Sequence, residues 1–191
     1  MHKGRVEAFS DGVIAIILTI MVLELKAPHG TSWESVKPLL PVLLSYVMSF
    51  LFVGVYWGNH HHLFHLVKHF SSGIMLGNLN LLFWLSLVPF ATGWMGENEF
   101  APITVSIYAA LLLICGISYA ILQNTIAACH KENPELKGLM KKQNRKAMYS
   151  IVLYSSAIGL AWLNPYISVG IFLFVAIMWL VPDKEIEKVG H

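Results

Sequence analysis

At 191 residues, 56% of them hydrophobic and 13% charged, with a mean hydropathy of +0.62, the chain is too apolar for an ordinary soluble domain and reads as an integral membrane protein. A net charge of +2 is too small to point to a nucleic-acid partner. Six Trp and seven Tyr suit the aromatic belts of a membrane interface.

The first apolar run, 6–25, is entered through "RVEAFSDGVIAI". Arg5, Ser10 and Asp11 sit where the chain turns apolar, and charge at membrane depth is costly enough to imply a role. Lys3 and Arg5 ahead of an apolar stretch give the outline of a signal peptide, but no A-x-A-like site follows in "ELKAPHG", so the run is expected to remain as a membrane span. At about 100° per residue, Gly12, Ile16, Thr19, Ile20 and Leu23 fall within one helical stripe, and Asp11 lies about 140° from Ile16. The run is apolar all round, so periodicity leaves open whether that stripe meets lipid, a core or the same helix of another subunit.

The second run, 39–67, starts among Pro38 and Pro41, as suits proline in a first helical turn. It ends in the richest polar cluster of the chain, "YWGNHHHLFHLVKHF", 56–70. There His62, His65 and His69 share i, i+3, i+7 spacing, and His61 and His65 are i, i+4, a spacing that permits a metal ion. No Glu or Cys accompanies them within the segment. They are therefore expected to be hydrogen-bonding and interfacial histidines, with no resident metal. The third run, 73–96, carries Asn78 and Asn80. The fourth, 102–129, begins at Pro102 and holds both cysteines, Cys115 and Cys129. On one helix these lie roughly 21 Å apart, beyond disulfide reach, and they read as small hydrophobes. His130 to Lys146 reads as a basic loop. The fifth and sixth runs, 147–163 and 165–182, meet at an Asn164–Pro165 hairpin. Pro182, Asp183 and Lys184 end the sixth.

Polar residues at membrane depth thus gather in the first three runs: Ser10, Asp11, Thr19, Trp57, Asn59, His60, His61, Asn78 and Asn80. Buried polar groups in lipid must find partners, so the inner ends of these helices are expected to share a hydrogen-bond network. With the N-terminus inside, eleven of the 13 Lys and Arg fall on inner segments and only Lys26 and Lys37 on outer ones. This positive-inside asymmetry supports six spans with both termini cytoplasmic. No internal repeat supports a three-plus-three transporter architecture, and residues 1–191 read as a single six-helix transmembrane domain.

"RVEAFSD" resembles the R-x-x-x-F-S-D signature of the transmembrane protein 175 family of potassium-permeable channels. "WGNHHHLF" is similar to that family's second-helix pattern W-x-x-H-H-x-x-F, and "NLLFWLSLVPFATGWMGEN" to its third helix and following loop. The resemblance covers essentially the whole chain and is of the bacterial, single-repeat type. It implies a homotetramer in the cell (plasma or inner) membrane, with four copies of the first helix lining a central pore. It implies a constriction at Ile16, a contribution to potassium preference at Thr19 and a further apolar layer at Leu23, with Ile20 beside them. It also implies that Arg5, Phe9, Ser10 and Asp11 tie the first helix to partners among Trp57, His60, His61 and Asn80. Rings of Ile16 and Leu23 would form hydrophobic necks, and a ring of Thr19 oxygens would replace part of a cation's hydration shell.

The expected function is therefore passive, potassium-selective conduction, without catalysis and with no cofactor beyond the permeant ion. A different class, a proton-coupled carrier with Asp11, His60 and His61 as relay, is also compatible with intramembrane acid and histidine residues. A membrane metalloenzyme built on the histidine stripe is a third.

Overall fold

The computed structural model describes residues 3–67, 69–130 and 134–180, and the described chain is all-helical. Helix α1 spans Lys3–Leu23, α2 Trp33–Val36, α3 Leu40–His65, α4 Ser72–Leu85, α5 Val88–Glu97, α6 Pro102–Cys129, α7 Pro134–Leu160 and α8 Pro165–Leu180. A 3-10 turn, Lys37–Leu39, joins α2 to α3. Pro182, Lys68, Lys131, Lys184 and Lys188, all used in the sequence reading, lie outside the described residues.

Among the described residues, four stretches are long and apolar enough to cross a membrane: Lys3–Leu23, Trp33–His65, Ser72–Glu97 and Pro102–Cys129. The chain is a multi-pass membrane protein. The last two runs differ from the simple expectation. Helix α8 has 16 residues, about 24 Å of helix against a hydrocarbon core of about 30 Å. Helix α7 starts at Pro134, so most of the expected basic loop is helix. Lys, Gln and Arg are good helix formers, and an apolar segment that follows without a breaker lets the helix run back into them.

The third run is also not one helix. It breaks at Ser86–Leu87 because Pro89, in the first turn of α5, lacks an N–H and its ring crowds the carbonyl of Leu85. The amide of Leu87 turns instead to Trp84 O at 3.2 Å, a tightened turn. At its far end α5 closes with Phe100 N–H donating to Met95 O (3.0 Å) and Glu99 N–H to Gly96 O (3.1 Å). This is the double bond pattern of a Schellman cap, with Glu99 in the left-handed region at φ 49° and Phe100 buried behind it. Asn164 makes the α7–α8 hairpin by accepting from Tyr166 N–H at 2.9 Å.

The core lies along α6, which packs on α4, α5, α7 and α8, while α3 packs on α5 and α8. Both cysteines ride on α6 and are free, Cys115 buried and Cys129 exposed. One polar knot holds α3, α5 and α6 together: Ser49 shares hydrogen bonds with Tyr108 (2.8 Å) and Thr92 (2.7 Å), and Thr92 donates to Val88 O. Helix α1 packs against α3, α4 and α5 and adds Val6, Ile14, Ile17 and Met21 to the core.

The close approach of α3 and α5 requires Gly96. A Cβ there would stand 2.7 Å from Val42 Cα, a contact with backbone that no side-chain rotation relieves. Gly96→Ala is expected to cost about 1–3 kcal/mol as overpacking. Thermal unfolding of the detergent-solubilised protein should show a lowered midpoint for this variant, whereas Gly54→Ala, with open space around it, should unfold like the wild type.

Candidate functional site: the two faces of the first helix

Helix α1 buries Val6, Ser10, Ile14, Ile17 and Met21. The steps of four, four, three and four residues trace one side of a helix. Every residue of the opposite stripe is exposed: Gly12, Ile16, Thr19, Ile20 and Leu23, with Ile16 at 58% and Leu23 at 76%. Such exposure of large aliphatic side chains in a row marks a surface that meets lipid or another protein.

The buried face is held by a directed chain of hydrogen bonds. Ser10 Oγ donates to Val6 O one turn back at 2.8 Å. Its oxygen accepts from Asn78 Nδ2 of α4 at 2.9 Å. The amide then presents Oδ1 to His60 Nε2 of α3 at 2.8 Å. An amide that donates toward Ser10 has only its oxygen left for His60, so His60 carries its proton on Nε2. His60 is buried and its ring stacks on Phe64 at 4.1 Å between centroids. Beside this chain, Trp57 Nε1 donates to Asp11 Oδ1 at 3.0 Å. Glu7 Oε1 lies 3.5 Å from His61 Nδ1.

Ser10, Asp11, Trp57 and His61 therefore all sit in contacts of α1 with α3 or α4, and His60 joins them through Asn78 of α4. Arg5 and Phe9 do not. Both are exposed, and Arg5 has no hydrogen bond or ion pair among the described residues. Asn80 is half-buried and forms no hydrogen bond with a described residue; Asn78 takes the place assigned to it. The two differ by about 200° on a helix, so only one can face α1. Asn78 shares its face with Ile74, Leu81 and Leu82, and that spacing was the available signal. The histidine stripe also needs correction. Helix α3 ends at His65, so His69 is not on its face; its N–H donates to His130 Nε2 instead at 3.1 Å. Glu7, one turn before Asp11, went unnoticed in the sequence although it lies on the same side of α1.

On the exposed face, Thr19 Oγ1 donates to Ile16 O at 2.9 Å. Its single proton is used within the helix, and its lone pairs are left for whatever the stripe meets. Between α1 and the α4–α5 break lies a groove of about 410 Å³, lined by Ile16, Ile20, Glu24, Pro89 and Phe90 among others.

Residues 5–89 match the family model described as endosomal/lysosomal potassium channel TMEM175. The chain is 50% identical over 188 residues to a protein of Chryseobacterium sp. (strain P1-3) named potassium channel, covering 98% of this chain and 97% of that one. It resembles the crystal structure of a lysosomal potassium-selective channel TMEM175 homolog from Chamaesiphon minutus at a TM-score of 0.81 and 32% identity, over 93% of this chain and 96% of that one. It is also 30% identical over 131 residues to a Gallus gallus protein named endosomal/lysosomal proton channel TMEM175, covering 26% of that longer protein.

Loss of Asn78 would leave His60 Nε2 without its partner, at about 1–3 kcal/mol for a buried group left unpaired, and would remove the donor to Ser10, which keeps its bond to Val6 O. Asn78→Leu should lower the unfolding midpoint in detergent well below that of Asp11→Asn, whose amide oxygen still accepts from Trp57. Equal midpoints would mean that the chain of bonds does not anchor α1.

Proposed function

Since the chain belongs to the TMEM175 family, we propose that it is a potassium channel, a passive cation pathway lined by α1. The observation that carries this reading is the division of α1 into an anchored polar face and an exposed stripe of Ile16, Thr19, Ile20 and Leu23. The stripe needs a partner, and copies of itself around a closed axis are the arrangement that turns one face into a pore. The homotetramer implied by the family resemblance supplies four. The groove beside the stripe offers an apolar seat for the neighbouring α1.

In this arrangement Ile16 and Leu23 form hydrophobic necks that gate by dewetting, and Thr19 presents a ring of oxygens to a partly dehydrated cation. The charge asymmetry of the sequence supports six crossings per subunit, with α7 and α8 as the last two and both termini in the cytoplasm, and the family resemblance implies the cell membrane. Residues 1–191 act as one channel domain, with the lipid bilayer and potassium as the other partners. Arg5 and Phe9, exposed in a single chain, are left to the contacts between subunits. Conduction of this kind needs no cofactor and no catalytic step.

A second reading has a specific support. The Gallus gallus relative is named a proton channel, and Asp11, His60 and His61 are groups that a proton-coupled carrier would use. Asp11 is turned to Trp57 of α3, His60 to Asn78 of α4 and His61 to Glu7 of α1, all away from the exposed stripe, which favours a scaffold role.

Purified protein in liposomes under a potassium gradient should pass potassium, and absence of flux from pure, oligomeric protein would sink the reading. Ile16→Asn is expected to raise conductance several-fold by wetting the neck. Thr19→Val should lower discrimination between potassium and sodium in bi-ionic recordings while leaving current intact. Saturable solute uptake that depends on a pH gradient and disappears in Asp11→Asn would favour the carrier instead.

A further inference from the structure

The inner ends of α1 and α3 bring together Glu7, His61 and His65, one ligand atom from each lying within 4.8 Å of the others. His61 Nε2 and His65 Nε2 are 3.2 Å apart, and Glu7 Oε1 is 3.5 Å from His61 Nδ1. Donors about 2.0–2.1 Å from a tetrahedral zinc ion stand roughly 3.3 Å from one another. The two histidines are thus already near an edge of that tetrahedron; the 3.5 Å contact of Glu7 is to the other ring nitrogen of His61, so the His61 ring and the carboxylate must turn to bring three ligand atoms, now within 4.8 Å of one another, onto one ion. The two histidines sit one turn apart on α3, which fixes their spacing through the backbone. The carboxylate comes from a different helix. Glu7 and His61 are half-buried while His65 is exposed, so an ion has a route in from the aqueous side.

We propose that Glu7, His61 and His65 form a divalent transition-metal site that clamps the inner end of α1 to α3. Two imidazoles and a carboxylate suit zinc, copper or nickel, and not the hard cations that prefer all-oxygen shells. Three protein ligands leave a fourth position for water, the pattern of an exchangeable site. The bound ion bridges the helix that carries the Ile16–Thr19 stripe to its scaffold, so occupancy restrains any movement of α1 relative to α3. The site stands on its own geometry; only a consequence for conduction rests on the channel reading.

The test uses the full-length protein, freed of any polyhistidine tag and stripped with a chelator, in lipid nanodiscs. Titration with zinc chloride should show one saturable site per chain in the wild type. His65→Ala and Glu7→Gln should bind at least tenfold more weakly, and His62→Ala, whose side chain is exposed on the same helix but outside the cluster, should bind as the wild type does. Zinc should raise the unfolding midpoint of the wild type and not that of His65→Ala. Wild-type affinity in His65→Ala or Glu7→Gln, or an equal loss in His62→Ala, overturns the site. Binding without a change in the midpoint overturns the clamp. Potassium flux from the metal-free wild type is measured separately: its absence overturns the channel reading alone, and the zinc titration then still decides the site.

Discussion

A polar group in hydrocarbon must be paired, and this single constraint sets the rotation of α1. Ser10 and Asp11 cannot face lipid, so they turn to Asn78 on α4 and Trp57 on α3. The apolar side chains Ile14, Ile17 and Met21 share the Ser10 direction and are buried in the same core. Polar satisfaction and hydrophobic packing therefore specify one orientation, which is the condition for a unique structure. The exposed stripe is the remainder of that choice. It is not selected by any interaction of its own within the chain; it is what is left outward once the other side has been spoken for.

The outer half of the bundle is fixed by different means. Helix α5 enters at an angle set by Pro89 and lies so close to α3 that Gly96 has no room for a side chain. The Ser49–Thr92–Tyr108 knot closes this contact onto α6. One consistent ordering has Tyr108 donate to Ser49, Ser49 to Thr92 and Thr92 to Val88 O, so that each hydroxyl proton is used once. The same proline that bends the run also lines the groove beside α1, so the break between α4 and α5 and the groove share one residue.

What was legible in the sequence follows the strength of the local signals. Long apolar runs gave the helices, and prolines gave their starts, because both act through the backbone or through bulk solvation. The two faces of α1 came from angle alone. The roles of Arg5 and Phe9 rested on resemblance, and a single chain does not bring them to their expected neighbours. Asn80 as a partner also rests on resemblance; the third run is apolar on all sides, so only the spacing to Ile74 and Leu81 marks Asn78 as the asparagine that faces inward. The metal-ligating carboxylate was missed for a plainer reason. Glu7 and His65 are 58 residues apart, and only the packing of α1 on α3 makes them neighbours. The helical start of α7 has no apolar period to mark it, because it falls in a run of charge, although those residue types favour helix wherever one can continue.

On the proposed reading of α1 as the lining of a pathway, the hydroxyl of Thr19 bears on the sign of what passes. Its proton is donated to the carbonyl of Ile16, one turn back on the same helix, so outward it offers electron density and no hydrogen. A chloride ion shedding its water needs donors, and along this stripe the aliphatic neighbours have none to give. Exclusion of anions would then require no ring of acidic side chains. It would follow from a hydroxyl whose only donor is already committed to its own backbone.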